Sequence, residues 1–207
     1  MFSNDHKAGI TPAAAALTQL ASAQNFKPTM GVKIVEEVSK MKEDFRLQTA
    51  ATRLEVYQLL LRLVQDQAVA GELQHKYGSS SGFTLDLLSM CQHERDPKNL
   101  MIWFKIIKTL VAEYSPSEDV TNEIFKAFSN YFPITLREST TPIGVTPEEL
   151  KSALRECFSA HDRLARLAFP YLIQRLDQGD SMKVTVKVSN SNLVTHDHAD
   201  VFRTTSS

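Results

Sequence analysis

The feature that most constrains this sequence is a repeated signature of helix starts. An oxygen-bearing side chain directly precedes a proline at Asp96 and Pro97, at Ser115 and Pro116, and at Thr146 and Pro147. Such a side chain accepts hydrogen bonds from the first free amides of a helix, and proline lacks the amide that would have no partner there. Glu118 and Glu149 stand where each can complete a capping box. The sequence therefore predicts helices that begin at the three prolines.

Apolar residues recur around these starts at the three-and-four spacing that is typical of one helix face. Upstream, this spacing is shown by Leu47, Ala50, Ala51, Leu54, Tyr57, Leu61 and Val64. We expect Gly71 and the GSSSG stretch at 78–82 to break the pattern, and residues 83–91 to form a shorter helix. Further helices are predicted after Pro116, after Pro147 and after Asp162. Hairpin signals are almost absent, because only 7 glycines occur and none follows an Asn or Asp between alternating runs.

The helix predicted after Pro97 is apolar on almost every side. One face carries Leu100, Met101, Phe104, Ile107, Leu110 and Val111, and this face is widened by Ile102, Trp103 and Ile106. A helix with so narrow a polar strip is buried between neighbours on more than one side.

The predicted fold is all-α, an α-solenoid of HEAT-like antiparallel helix pairs. Counting from Asp96 to Thr146 gives 50 residues, near the length of a two-helix HEAT unit, with residues 133–145 as an inserted loop. A closed helical bundle fits the local pattern equally well, but faces buried on more than one side favour stacked repeats. The expected organisation is a poorly defined segment at 1–28, helical repeats at 29–180 and a disordered tail at 181–207.

Charge and cysteine content limit the classes of function. The formal net charge is −1, from 23 basic and 24 acidic residues, so direct nucleic-acid binding is not expected. Cys91 and Cys157 lie in apolar helical patterns, which indicates buried free thiols rather than a disulfide. No apolar run reaches the length of a membrane span, and the first residues do not read as a signal peptide. We expect a soluble intracellular protein without membrane contact.

Candidate chemical sites each have an ordinary structural interpretation. Cys91, His93, Glu94 and Asp96 are metal-ligand types, but Asp96 serves as a helix cap and no second Cys or His pair completes a zinc set. The histidines of residues 196–198 lie in the polar tail, and Glu148 with Glu149 occupy a first helical turn, where the helix dipole favours acidic groups. We therefore predict no catalytic, cofactor or metal-binding residue, no cofactor and no enzyme; a metal-dependent enzyme using Cys91, His93 and Asp96 is the outlying alternative.

A dense set of aromatic residues follows the same helical spacing. Its members are Trp103, Phe104, Tyr114, Phe125, Phe128, Tyr131 and Phe132. This spacing places most of the rings between packed helices, so we predict a core rather than a ligand pocket or a base-stacking platform.

Two stretches, residues 94–110 and 124–180, resemble a known family. They contain DPKNL at 96–100, YFPI at 131–134, GVTPEELKSALR at 144–155 and FPYLIQRLD at 169–177. In their order and spacing they are similar to the N-terminal part of the large HEAT-repeat adaptors of cytosolic iron–sulfur assembly, a family of DNA repair and transcription proteins.

The resemblance implies an adaptor without catalytic residues that helps to deliver iron–sulfur clusters to apo-enzymes of DNA repair, replication and transcription. Its expected partners are those apo-enzymes and the subunits of the targeting complex, in the nucleus and the cytoplasm. Members of the family are much longer, and the helical periodicity here is lost from about Ser189, so a truncated product with exposed apolar surface on residues 164–176 is expected. The alternative function is a generic helical-repeat scaffold for protein binding; the binding residues are not assigned.

Overall fold

The computed structural model describes residues 9–134 and 144–177, and these residues form helices without a β-strand. The helices are α1 (Ile10–Leu20), α2 (Pro28–Ser39), α3 (Lys42–Arg46), α4 (Ala50–Gln65), α5 (Gln67–Tyr77), α6 (Gly82–Cys91), α7 (Pro97–Glu113), α8 (Glu118–Ser129), α9 (Pro147–Phe158) and α10 (residues 162–177). The chain divides into two compact units, Met1–Ala165 and Arg166–Ser207. Within the described residues, no helix combines the length and the apolar composition that crossing a membrane requires.

The helices of the first unit pack in two layers. In one layer α1 packs against α4, α4 against α7, and α7 against α9; in the other, α2 contacts α5 and α6, α3 contacts α6, and α6 contacts α8. Within the first layer, each helix thus packs against the helix before it and the helix after it in that layer, while α4·α5, α2·α4, α7·α8 and α8·α9 contacts join the two layers. This nearest-neighbour packing confirms the predicted α-solenoid.

Side-chain hydrogen bonds join positions about one repeat apart along the chain. The hydroxyls of Thr11 and Thr52 share a hydrogen bond across 41 residues. The Tyr114 hydroxyl donates to the Val64 carbonyl across 50 residues, and the Cys157 thiol donates to the Phe104 carbonyl across 53. The first separation lies within the roughly 40–47 residues of a HEAT unit, and the other two are slightly longer.

Two of the three predicted helix starts are confirmed. Asp96 caps α7 by accepting from the amides of Lys98 and Asn99, with Pro97 in the first turn. Thr146 and Glu149 form the predicted capping box of α9.

The start predicted at Pro116 is wrong, because α8 begins at Glu118 and its cap is Ser117. The Ser117 amide donates to the Ser79 carbonyl at 2.9 Å, so residue 117 is tied to the preceding repeat before the helix can begin.

Two details of the predicted periodicity are also wrong. Tyr57 and Val64 of the predicted α4 face are buried, but the buried face is centred on Val56, Leu59, Leu60 and Leu63. Leu47 precedes the helix and is 71% exposed. Gly71 lies inside α5 rather than ending it. A Cβ at Gly71 would meet nothing within 4 Å, so the residue marks a solvent-exposed turn of the helix. In addition, α1 lies within the segment 1–28 to which the sequence assigned no element.

The aromatic residues form the core, as predicted. Trp103, Phe104 and Phe128 are fully buried. The Trp103 ring lies 6.2 Å from the ring of Tyr57, and the Phe128 ring lies 5.0 Å from that of Phe158 in an edge-to-face arrangement. The first contact joins α4 to α7 within the first layer, and the second joins α8 of the second layer to α9 of the first. The rings are therefore structural.

A buried ion pair fixes the junction between α6 and α7. The Arg53 guanidinium donates to both carboxylate oxygens of Glu94, at 2.7 and 2.8 Å, and also to the Gln48 carbonyl. The Asn99 amide donates to the Ala50 carbonyl and to Glu94. The start of α4 is therefore bound to the start of α7 through a carboxylate whose side chain is only 1% exposed.

The contacts of Glu94 set its pKa. Burial alone would raise it, but the Arg53 guanidinium and the backbone amides of Asp96 and Arg95 stabilise the charged form, so the pKa of Glu94 lies below its ordinary value. The carboxylate is thus ionised at neutral pH and bridges two repeats.

The second unit is described over residues 166–177, which belong to α10. Here Phe169, Ile173 and Leu176 are exposed, at 71%, 42% and 68%. Their spacing places them along one face of the helix, so the apolar exposure predicted for residues 164–176 is confirmed, although Leu164 itself is buried. The histidines of 196–198 and the tail at 181–207 lie outside the described residues.

Truncation of the buried rings should destabilise the fold. We expect Trp103→Ala and Phe128→Ala each to lower the free energy of unfolding by about 3–5 kcal/mol, because each leaves a large cavity among fully buried neighbours. Urea denaturation followed by circular dichroism measures this, since Trp103 is the single tryptophan and its fluorescence is lost in the variant. The exposed Lys105→Ala serves as control, and a Trp103→Ala chain as stable as this control would contradict the core assignment.

Acid should remove the contribution of Glu94 to stability. A carboxylate whose folded pKa lies below its unfolded value stabilises the fold fully above the unfolded pKa, near 4.5, and loses this effect as the pH falls through the folded pKa. Wild type should therefore exceed Glu94→Gln in free energy of unfolding at pH 7, and the difference should shrink below about pH 4.5. Urea titrations of both chains across this range measure it. The same substitution at an exposed carboxyl, Glu72→Gln, is measured alongside as the control. A difference between wild type and Glu94→Gln that is independent of pH would refute the role of the ionised carboxylate.

Candidate protein-interaction surface

A long open groove lies between α6 and α8 in the second layer. Its larger part has a volume of about 770 Å³ and is lined by Leu85, Leu88, Ser89, Gln92, His93, Glu94, Arg95, Glu123, Lys126, Ala127, Asn130 and Tyr131. A smaller part of about 310 Å³ is lined by Leu85, Asp119, Val120, Asn122, Glu123 and Lys126. Because Leu85, Glu123 and Lys126 line both parts, we treat them as one surface, the α6–α8 groove.

The two helices that form the groove run in the same direction. The segments that lead into them meet where the Ser117 amide donates to the Ser79 carbonyl. At the other end, Arg95 beyond α6 and Tyr131 beyond α8 line the same part of the groove. The groove therefore follows both helices from their N-terminal to their C-terminal ends.

The middle of the groove is apolar. Leu85, 41% exposed, stands on its surface, while Leu88 is mostly buried beneath it and Ala127 faces it from α8. At the C-terminal end the ring of Tyr131 packs edge-to-face against Phe104, at 5.6 Å between centroids. This contact anchors the groove floor to the core of the first layer, and burial raises the pKa of Tyr131, so its hydroxyl stays neutral.

The charges of the groove differ between its ends. Exposed Arg95 lies at the C-terminal end, and exposed Asp119 lies at the N-terminal end. Between them, Lys126 forms an ion pair with Glu123 at 2.7 Å, so these two charges offset each other. Glu94 also lines the C-terminal end, but its carboxylate is held by Arg53 and adds no free negative charge there.

The residues that the sequence suggested as metal ligands are near one another but do not converge. Cys91 is buried in α6, Glu94 is turned towards Arg53, and Asp96 caps α7. Only His93 and Glu94 of this set line the groove. Over residues 9–134 and 144–177, no group of three or more His, Cys, Asp or Glu side chains could hold a metal ion.

The paired carboxylates Glu148 and Glu149 serve the start of α9. Glu149 accepts from the amide and hydroxyl of Thr146, and Glu148 accepts from Lys151. These hydrogen bonds lower the pKa of both carboxyls. Two ionised carboxylates engaged in capping and in an exposed ion pair do not form a general acid–base pair.

The two cysteines of the chain are both buried and free. Burial raises the pKa of the Cys91 thiol well above its ordinary value and that of Cys157 to about 12. Both thiols therefore stay protonated at neutral pH, and neither presents a thiolate to a metal or a substrate.

The groove itself escaped the sequence analysis. Its lining comes from two helices and a junction that are separate in the sequence, and His93 and Glu94 were weighed only as metal ligands. The one available signal was Leu85, an apolar residue three positions before Leu88 on a short helix, but exposure of that position depends on how α8 packs.

Comparison with known proteins identifies a family that this chain matches. Residues 2–193 match the family model described as the MMS19 N-terminal, Dos2-interacting transcription regulator of RNA-Pol-II. No solved structure matches the chain.

Several relatives are similar over the same region. The chain is 28% identical over 176 residues to the DNA repair/transcription protein mms19 of Schizosaccharomyces pombe, which covers 84% of this chain and 16% of the relative. It is 30% identical over 96 residues to the MMS19 nucleotide excision repair protein homolog of Homo sapiens, covering 46% of this chain and 9% of the relative. A homolog of that name from Danio rerio is 28% identical over 123 residues, which cover 59% of this chain and 11% of the relative.

The chain thus spans a small part of the length of these relatives, 16% in the yeast protein and 9% in the human one. The family model, by contrast, covers nearly the whole of the chain. The helical repeats described above and this match together show that the chain belongs to the MMS19 N-terminal family of Dos2-interacting transcription regulators of RNA-Pol-II.

Proposed function

We propose that this chain acts as part of a helical-repeat adaptor in DNA repair and transcription, and that the adaptor helps to deliver iron–sulfur clusters to apo-enzymes of DNA metabolism. The match of residues 2–193 to the family carries the first part, since the relatives are named as DNA repair and transcription proteins. The second part rests on the resemblance of residues 94–110 and 124–180 to iron–sulfur targeting adaptors.

The chemistry of the chain supports an adaptor that works through protein contacts. Iron–sulfur clusters are ligated chiefly by cysteine thiolates. Cys91 and Cys157, the two cysteines present, are buried with raised pKa values. In this proposal the cluster is cargo carried by other proteins, and the solenoid supplies extended surface on which partners bind.

The proposed partners are apo iron–sulfur enzymes of repair, replication and transcription, together with the subunits of the targeting complex. Clients of this kind place the adaptor in both the nucleus and the cytoplasm. A generic helical scaffold shares the architecture but has no preference for iron–sulfur proteins. Selective binding of such proteins therefore distinguishes the two functions.

Iron incorporation into clients tests the proposal. In cells depleted of this chain and fed radioactive iron, we expect less radioactivity in an immunoprecipitated iron–sulfur enzyme of DNA repair. Re-expression of the wild-type chain at its native level should restore the signal. The amount of the enzyme polypeptide is measured in the same samples, so that loss of protein is separated from loss of its cluster.

A mitochondrial iron–sulfur enzyme serves as the control, because its cluster is assembled before the proposed delivery step. Unchanged iron in the repair enzyme, or an equal fall in both enzymes, would exclude delivery by this chain and leave the generic scaffold as the better function. A fall restricted to the repair enzyme supports the proposal.

A further inference from the structure

We propose that the α6–α8 groove binds an amphipathic helix of a partner protein, lying antiparallel to α6 and α8, with its acidic first turn against Arg95 and its basic last turn against Asp119. The inference rests on the proposed adaptor function and names the kind of segment that a partner presents. The argument uses the direction of the two helices, the apolar middle of the groove and the charges at its ends.

The shape of the groove suits a helix. α6 and α8 run in parallel, and the shared lining by Leu85 joins the two parts into one continuous depression along them. A third helix can pack on a pair of neighbouring helices by setting its side-chain ridge between them. Helix-in-groove binding of this kind uses apolar anchors at positions i, i+3, i+4 and i+7.

The apolar middle of the groove is the part that such anchor residues would contact. Leu85 lies on α6 of the second layer, and 41% of it is exposed to solvent. Together with Leu88 and Ala127 it forms the aliphatic part of a lining whose other residues, apart from Tyr131, are polar or charged. An exposed apolar strip with a polar rim is the typical composition of a protein-binding surface.

The charges at the two ends of the groove favour one direction of the bound helix. Arg95 has no acidic partner among the described residues, because Glu94 beside it is held by Arg53. Asp119, in the first turn of α8, likewise has no described cationic partner. A stable helix favours acidic residues in its first turn and basic residues in its last. Laid antiparallel to α6 and α8, it brings its acidic turn to Arg95 and its basic turn to Asp119.

The same charges disfavour other occupants. A nucleic-acid strand would meet Arg95 at one end but Asp119 at the other, and uniform phosphate charge cannot satisfy both. A small molecule of either charge would use only one end of the groove. A helix with opposite charges at its two ends satisfies both.

Two peptides that differ only in the order of their charges test the proposal. Both have about 16 residues, the same apolar stripe and no net charge. One is acidic in its N-terminal half and basic in its C-terminal half; the other has the charges exchanged. A hydrocarbon staple on the outer face holds both as helices, so that their intrinsic helicity does not decide the result. Binding to the full 207-residue chain is measured by fluorescence anisotropy at low salt.

We expect the peptide with the acidic N-terminal half to bind about fivefold more tightly than its counterpart, as two weak exposed ion pairs allow. The double variant Arg95→Glu, Asp119→Lys should reverse this preference, because both ends of the groove then change sign. Lys105→Glu, a charge reversal on α7 away from the groove, should leave the preference unchanged. Added salt should reduce the difference between the peptides.

A second variant tests the apolar strip. Leu85→Ala should weaken both peptides by about threefold or more, since a contact common to both is removed. Met30→Ala, which shortens another exposed apolar side chain, should weaken neither. Circular dichroism melting curves establish that every variant is folded.

Absence of binding at millimolar concentration of the first peptide, equal affinity for both peptides, or a preference that the double variant does not reverse would each overturn the proposal. These outcomes are independent of the iron measurement in cells. If the peptides do not bind the groove but the iron content of the repair enzyme still depends on this chain, the adaptor function stands and only the groove proposal fails. If the peptides bind as expected but depletion of this chain leaves the iron content of the repair enzyme unchanged, iron–sulfur delivery is refuted instead.

Discussion

The structure of the first unit depends on the packing of α7 between α4 and α9. The Trp103 ring of α7 lies 6.2 Å from Tyr57 of α4, and the Phe104 carbonyl of α7 accepts a hydrogen bond from the Cys157 thiol of α9. Because two sides of α7 are covered by different repeats, neither repeat buries its apolar surface alone. This is the physical reason why the helices stack in an open array, in which each repeat contacts only its neighbours.

The ion pair of Arg53 and Glu94 adds geometric definition to this apolar packing. A buried pair of charges is weak evidence for net stability, because desolvation offsets much of the attraction between them. Its effect on geometry is more specific. Glu94 can satisfy Arg53, Asn99 and the amides of the junction together only when α4 and α7 start side by side. Apolar contacts allow several alignments of two helices, whereas this set of hydrogen bonds selects one.

The sequence predicted those elements that depend on neighbouring residues in the chain. The starts of α7 and α9 were correct because cap, proline and first turn lie within four residues of one another. The start of α8 was wrong because Ser117 is tied to Ser79 of the preceding repeat. The face of α4 was only partly correct, with Tyr57 and Val64 buried as predicted, because this helix is apolar on several sides and the helices packed against it decide which side is buried. The groove depends on the placement of α6 beside α8, so no local pattern could reveal it.

The buried Glu94 also explains why the basic end of the groove has a defined orientation. Cys91 and Glu94 both point inwards, and the chain between them must turn within two residues; His93 accordingly adopts a positive φ of 68°, a conformation that histidine tolerates better than most residues. With Glu94 fixed by Arg53, the side chains of His93 and Arg95 on either side of it are directed to the surface. A charge presented from a fixed backbone needs less ordering when a partner binds. The contact that aligns two repeats thus also prepares the surface beside them for binding.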